Sequence, residues 1–150
     1  MQEEEKRKLR TWVRVAQVYQ KSFRLLADRL SRVGLSVAQF DLLSCLVVAE
    51  PERLKQSELA NRLLVTKGNI SGMLSRMTEL GTVERADDPY DKRKKRITIT
   101  AEGRELYEAG RAIQDALVFE ILEDVSGQRL EVLDEIASEI CETIDLAKAR

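Results

Sequence analysis

Two groups of residues carry the clearest chemistry in this chain. One is a basic run, Lys92, Arg93, Lys94, Lys95 and Arg96; the other is a helical stretch before it, Lys67–Leu80, with one nearly bare face. Five successive cations repel one another, so a fold keeps them together where solvent screens them or an anion relieves them. At about 100° per residue, Ile70, Met73, Leu74, Met77 and Leu80 share one side of the helix. The other side holds Gly68, Ser71, Gly72, Ser75 and Glu79, flanked by Lys67, Asn69 and Arg76, with Thr66 placed as N-cap. Two glycines inside a helix cost about 1 kcal/mol each relative to Ala. Small outward residues let a helix backbone come close to a partner, and Ser, Asn, Lys and Arg are side chains that meet phosphates and base edges. The stretch reads as a helix for the major groove of DNA.

The basic run reads as the tip of a hairpin that reaches the adjacent minor groove. Asp91 stands two residues before Arg93, close enough to hold that guanidinium in one direction, and an arginine gains from the enhanced negative potential of a narrow minor groove. Charge is distributed accordingly. Residues 53–96 carry 11 Lys and Arg against 6 Asp and Glu, whereas 97–150 carry 5 against 13. The formal net charge of −1 therefore hides a polarised molecule whose basic patch attracts a polyanion.

Other chemistries are excluded by what is missing. The chain has no histidine and two distant cysteines, Cys45 and Cys141. That removes histidine acid/base catalysis and most zinc sites, and no nucleophile or phosphate-loop motif stands in their place. An enzyme is not expected, nor a cofactor or a metal. No apolar run approaches the ~18 residues that span a bilayer, and the chain opens with Gln2, Glu3, Glu4 and Glu5. A cytoplasmic protein with no membrane partner is expected.

The elements that must position these groups follow from periodicity. With 43% hydrophobic and 5% aromatic residues in 150, one helix-rich core is expected. Leu9, Val13, Ala16, Tyr19, Phe23, Leu26, Leu30 and Val33 recur at three- and four-residue steps, predicting a long helix from about Lys6 that Gly34 stops. Ser36 caps a second helix to about Ala49, and Pro51 ends that region. Gln56–Leu63 is a short helix, and a turn through Leu64 and Val65 leads into Lys67–Leu80, stopped by Gly81. Thr82–Ala86 and Arg96–Thr100 are β-prone, with a long tip between them, Asp87–Lys95. Helices Ala101–Val125 and Arg129 to the end complete the chain, parted by Ser126 and Gly127. On the last of them Leu133, Ile136, Ile140, Ile144 and Ala147 form a near-heptad seam that predicts helix against helix.

The fold class is thus mainly α with a small β-hairpin wing. Residues 35–100 form a winged helix-turn-helix for DNA, and 1–34 with 101–150 form a helical dimerisation region.

Several strings carry a family resemblance: Ser57-Glu58-Leu59-Ala60, Arg76 to Gly81, Val83-Glu84-Arg85, Asp91-Lys92-Arg93, and Ile97 to Thr100 with Gly103. Over about Leu35–Gly103 the chain resembles the MarR family of bacterial transcriptional regulators. The resemblance implies a homodimer on a pseudo-palindromic double-stranded operator, with the helix Lys67–Leu80 in the major groove and Arg93 in the minor groove. The DNA-contacting set it suggests is Thr66, Lys67, Gly68, Asn69, Ser71, Gly72, Ser75, Arg76, Asp91, Lys92, Arg93 and Lys94. Thr82 stands where the family usually has a larger apolar residue, and Lys55 where a Ser or Thr cap is usual, which softens the start of the Gln56–Leu63 helix.

The resemblance also implies a repressor released by a small aromatic or phenolic effector, with Trp12, Tyr19, Phe23 and Phe40 lining a cleft and Arg85 meeting a carboxylate. Core packing is the competing role for each. Two alternatives stand beside this reading. One is a thiol-based redox regulator, although neither Cys45, inside an apolar run, nor Cys141 matches the reactive cysteine near the first helix of one family branch. The other is a ligand-binding dimeric module without DNA contact.

Overall fold

The computed structural model of the chain describes residues 2–50, 52–63 and 67–148, with Lys67 described by its backbone alone. Pro51, Leu64, Val65 and Thr66, expected above to end a helix, form a turn and cap the next helix, lie outside the described residues. Among the described residues the order is α1 (Glu3–Ser31), α2 (Val37–Ala49), β1 (Leu54–Lys55), α3 (Gln56–Leu63), α4 (Lys67–Glu79), β2 (Val83–Asp87), β3 (Lys95–Ile99), α5 (Ala101–Leu122) and α6 (Gly127–Lys148). The chain divides into two compact units, Met1–Asp115 and Ala116–Arg150.

In the first unit α2 is the central core helix. Phe40, Leu42, Leu43 and Leu46 are all buried, and they cluster with Leu30, Leu59, Ile70, Leu74 and Met77. Glycine ends two helices by the same device. Gly34 sits at φ +74° beyond α1, where its N–H bonds to the Ser31 carbonyl (3.0 Å) and that of Leu35 to Leu30 (3.1 Å). Gly81, also at φ +74°, repeats this beyond α4 with Thr78 and, through Thr82, with Met77, both at 3.0 Å. Helix α4 ends at Glu79, and Leu80, the next residue, still donates its N–H to the Arg76 carbonyl at 3.0 Å. Leu80 is 67% exposed, not on the core face where periodicity put it.

Ser36 caps α2 as expected. Its hydroxyl accepts the Gln39 N–H (3.1 Å) while the Gln39 side chain accepts that of Ser36 (3.0 Å). The start of α3 is not left soft by Lys55, because the Glu58 carboxylate accepts the Lys55 N–H at 2.7 Å. Lys55 also belongs to an unexpected strand, β1.

The sheet is antiparallel in the order β1-β3-β2, pairing Leu54 with Ile97 and Val83 with Ile99. Leu54, Val83 and Ile97 are buried, so one face closes on the core. The hairpin strands lie one residue nearer the tip than the β-prone runs suggested. Asp87 faces Lys95 across the ladder and is ion-paired with it, so both strands are shifted toward the tip and the tip is shorter.

Two glycines of α5 are required by close approach. A Cβ on Gly103 would stand 1.9 Å from the Thr82 carbonyl oxygen, and one on Gly110 would stand 2.7 Å from the Phe40 ring. The Thr100 hydroxyl fixes this junction by accepting the Gly103 N–H (3.0 Å) and donating to the Gly81 carbonyl (2.6 Å). Gly81 and Thr82 thus connect the end of α4 to the start of α5.

In the second unit α6 has no buried residue among those described. Leu133, Ile136, Ile140 and Ile144 of the expected seam are all exposed.

Candidate nucleic-acid interface

Helix α4 is two-faced. Ile70, Leu74 and Met77 are buried in the core. Gly68, Asn69, Gly72, Ser75 and Arg76 are exposed and Ser71 is half-buried. A Cβ built on Gly68 or Gly72 would meet nothing within 4 Å. No packing within the described residues therefore requires glycine at either position. Thr66 and the side chain of Lys67 lie outside the described residues.

The wing is organised by three aspartates. Asp87 pairs with Lys95. Asp88 is 3% exposed; one oxygen accepts the N–H groups of Tyr90 (2.8 Å) and Asp91 (3.1 Å), the other the Arg96 Nε–H (2.7 Å). Arg96 in turn donates to the Arg53 carbonyl at 2.8 Å, just before β1. The Tyr90 amide first, with Arg96 and the Asp91 amide, holds the Asp88 carboxyl below the usual carboxylate range against its burial. Asp91 accepts from the Arg93 backbone N–H and Nε, both at 3.1 Å, and from Nη2 at 3.3 Å. The Arg93 side chain, and then its amide, lowers the Asp91 carboxyl too.

The basic run is thus relieved by Asp87, Asp88 and Asp91 of its own hairpin, an arrangement that leaves the Arg93 side chain 90% exposed yet directed. Lys92 and Lys94 share the tip, and Lys94 comes within 4.0 Å of Asp91. A cleft of about 250 Å³ lies between wing and helices, lined by Lys55, Gln56, Ser57, Ile70, Arg93, Lys94 and Lys95. An exposed small-residue helix face and a directed arginine on a cationic loop are what a duplex with two accessible grooves requires.

Comparison with known proteins agrees with this geometry. A family model described as MarR family matches residues 33–94. The HTH-type transcriptional repressor YetL of Bacillus subtilis (strain 168) is 30% identical over 115 residues, which are 77% of this chain and 69% of that protein. The chain belongs to the MarR family. It is a transcriptional regulator, not an enzyme. Among solved structures of this MarR-family fold, the transcriptional regulator BldR from Sulfolobus solfataricus superposes with a TM-score of 0.74 at 30% identity, covering 93% of this chain and 99% of that one. A mutant of E. coli MarR complexed with operator DNA superposes with a TM-score of 0.73 at 29% identity, covering 84% and 89%.

The residues suggested for an effector do not come together as one group. Trp12, Tyr19 and Phe23 are exposed on α1, with the Tyr19 and Phe23 rings 5.9 Å apart. Phe40 is 3% exposed and stacks on Tyr107 at 5.9 Å, because it fills the space that Gly110 leaves; it serves the core. Arg85 is on β2, where it bonds to Gln56 of α3 (2.9 Å) and Ser75 of α4 (3.2 Å). Cys45 is half-buried, and burial raises its thiol pKa, followed by an opposing effect of Arg62 and a reinforcing one of Asp41. It is therefore a poor thiolate at neutral pH. Cys141 is exposed.

Among the described residues no group of three or more Cys, Asp and Glu is placed to hold a metal ion, and no helix is long and apolar enough to cross a membrane. Sequence reasoning gave Asp88 and Gln56 no role, and named Gly103 as part of the family resemblance without its close approach to Thr82. The Asp88-Pro89 step was a signal for the first, since Asp commonly accepts the amide two residues on in a turn.

Proposed function

We propose that the protein is a homodimeric repressor of a pseudo-palindromic operator whose half-sites lie about one helical turn apart. Helix α4, Lys67–Glu79, enters the major groove through Gly68, Asn69, Ser71, Gly72, Ser75 and Arg76, with Thr66 and Lys67 at its start. The wing, Asp87–Lys95, enters the minor groove with Arg93 leading and Lys92 and Lys94 on the backbone. Residues 35–100 are the DNA-binding domain, and 1–34 with 101–150 pair the two copies. The observation that carries this reading is the pairing of open space over Gly68 and Gly72 with an exposed Arg93 held by Asp91 on one compact unit.

The test is binding to the DNA beside its own gene across a salt series. Affinity falls steeply with salt, and Arg93→Ala weakens it and lowers the salt slope by about 1 with little change in melting temperature. An unchanged curve for that variant removes the wing from the mechanism.

Release by a small aromatic acid or phenol is supported by an open groove of about 570 Å³ at the α1–α2 junction, lined by Phe23, Ala27, Leu35, Val37 and Ala38 among others. Phe23→Ala is expected to abolish any release that salicylate or a simple phenol produces while leaving operator binding in place.

A further inference from the structure

Arg85 is a half-buried arginine on the face of β2 that it shares with the buried Val83 and, at the tip end, the exposed Asp87. Val83 points to the core and Glu84 to solvent, and Arg85 stands opposite Ile97, which is buried. Its guanidinium reaches two helices at once, donating through Nη2 to Gln56 Oε1 at the start of α3 and through Nη1 to Ser75 Oγ on α4. Nε is buried and has no hydrogen-bond partner among the described residues. An apolar side chain would cover α4 at this position without an unsatisfied buried donor. The guanidinium is explained by what its two other nitrogens join.

What they join is the wing to the recognition helix. Two residues beyond Arg85, Asp87 is paired with Lys95, and the next residue, Asp88, is pinned to Arg96. The tip is therefore stiff, and its direction is inherited from the hairpin base. The β1–β3 ladder ties that base to the segment before α3, whereas the Arg85 side chain ties it to α4 as well.

We propose that Arg85 is a positioning residue that sets the interval between α4 and the wing tip, so that α4 and Arg93 engage neighbouring grooves together. This rests on the DNA-binding reading given above. It assigns Arg85 no contact with DNA.

The test is a double-mutant cycle on operator affinity, with melting temperature followed in parallel. Arg85→Ala is expected to weaken operator binding about tenfold in the otherwise native protein but less than about twofold when Arg93→Ala is already present, because the misplaced group is then gone. Arg85→Lys keeps the charge but not the fork, and is expected to behave like Arg85→Ala. Gln56→Ala, which removes the other end of one bond, is expected to couple to Arg93→Ala in the same way and serves if Arg85→Ala does not fold. Losses that multiply independently, or restoration by lysine, overturn the proposal and leave the DNA reading standing. No effect of Arg93→Ala alone overturns the wing reading and this proposal with it.

Discussion

The carboxylate of Asp88 and the guanidinium of Arg96 meet at 2.7 Å inside the wing, and Arg96 passes the connection to the Arg53 carbonyl at 2.8 Å. One part-buried pair thereby joins the tip turn, β3 and the segment leading into β1. Removing Asp88 leaves the Tyr90 and Asp91 amides and the Arg96 Nε without their acceptor, although Arg96 keeps the Arg53 carbonyl. Asp88→Ala is therefore expected to weaken operator binding at least as much as Arg93→Ala although Asp88 is buried, and to speed hydrogen exchange at the Tyr90 and Asp91 amides. Protection at those amides equal to that of the native chain would contradict this.

The same pairs set a pH window. Asp88 and Asp91 are both held below the ordinary carboxylate range, so their contribution is fully present above the unfolded value and is lost as pH falls through the lower, folded value. Amide NMR shifts of Tyr90, Asp91 and Arg93 are expected to stay constant from about pH 7 to pH 5 and to move only below about pH 4, given an unperturbed Asp value near 3.9. A midpoint at or above that value would contradict the geometry.

Those elements were legible in the sequence where period and cap agreed. The apolar repeat of α1, the Ser36 and Gln39 box of α2, and Gly34 and Gly81 as terminators each place a boundary within a few residues of the observed one. The two-faced nature of α4 was equally readable, since burial at 70, 74 and 77 is a simple helical spacing. β1 was not, because two residues show no alternation. Nor was the role of Arg85, since its inward direction depends on the β2–β3 register and its partner Gln56 lies 29 residues away. For Phe40 the apolar side of α2 pointed to the core, but nothing in its own helix reveals that Gly110, on α5, makes room for its ring.

Glycine separates stability from function in this fold. Gly68 and Gly72 are helical with open space around them, so alanine at either is expected to stabilise the protein by about 0.5–1 kcal/mol. If α4 lies in the major groove, the same substitutions weaken operator binding, since a methyl group then stands between backbone and DNA. Gly103→Ala is expected to do the reverse, costing about 1–3 kcal/mol by overpacking against the Thr82 carbonyl. Thermal melts and DNA titrations of the three variants decide the point, and stabilised variants with native affinity would remove close approach from the mechanism.

The seam on α6 sets the last expectation. Leu133, Ile136, Ile140 and Ile144 are spaced three, four and four, and all are exposed. A row of branched apolar residues at that spacing is the pattern by which helices pack together, and a stable pair of chains needs about 1,200–2,000 Å² of buried surface. If this seam pairs two copies, sedimentation of the native protein gives twice the 17.1 kDa chain mass. Ile136→Glu with Ile140→Glu places two charges in that seam, and is expected to yield a helical monomer at micromolar concentration. Each half-site then has to be bound separately, so the variant loses operator affinity while retaining weak, salt-sensitive binding to non-specific DNA. A dimer that survives both charges would move the pairing surface off α6 and onto the exposed apolar residues of α1, Leu9, Trp12 and Val13 among them.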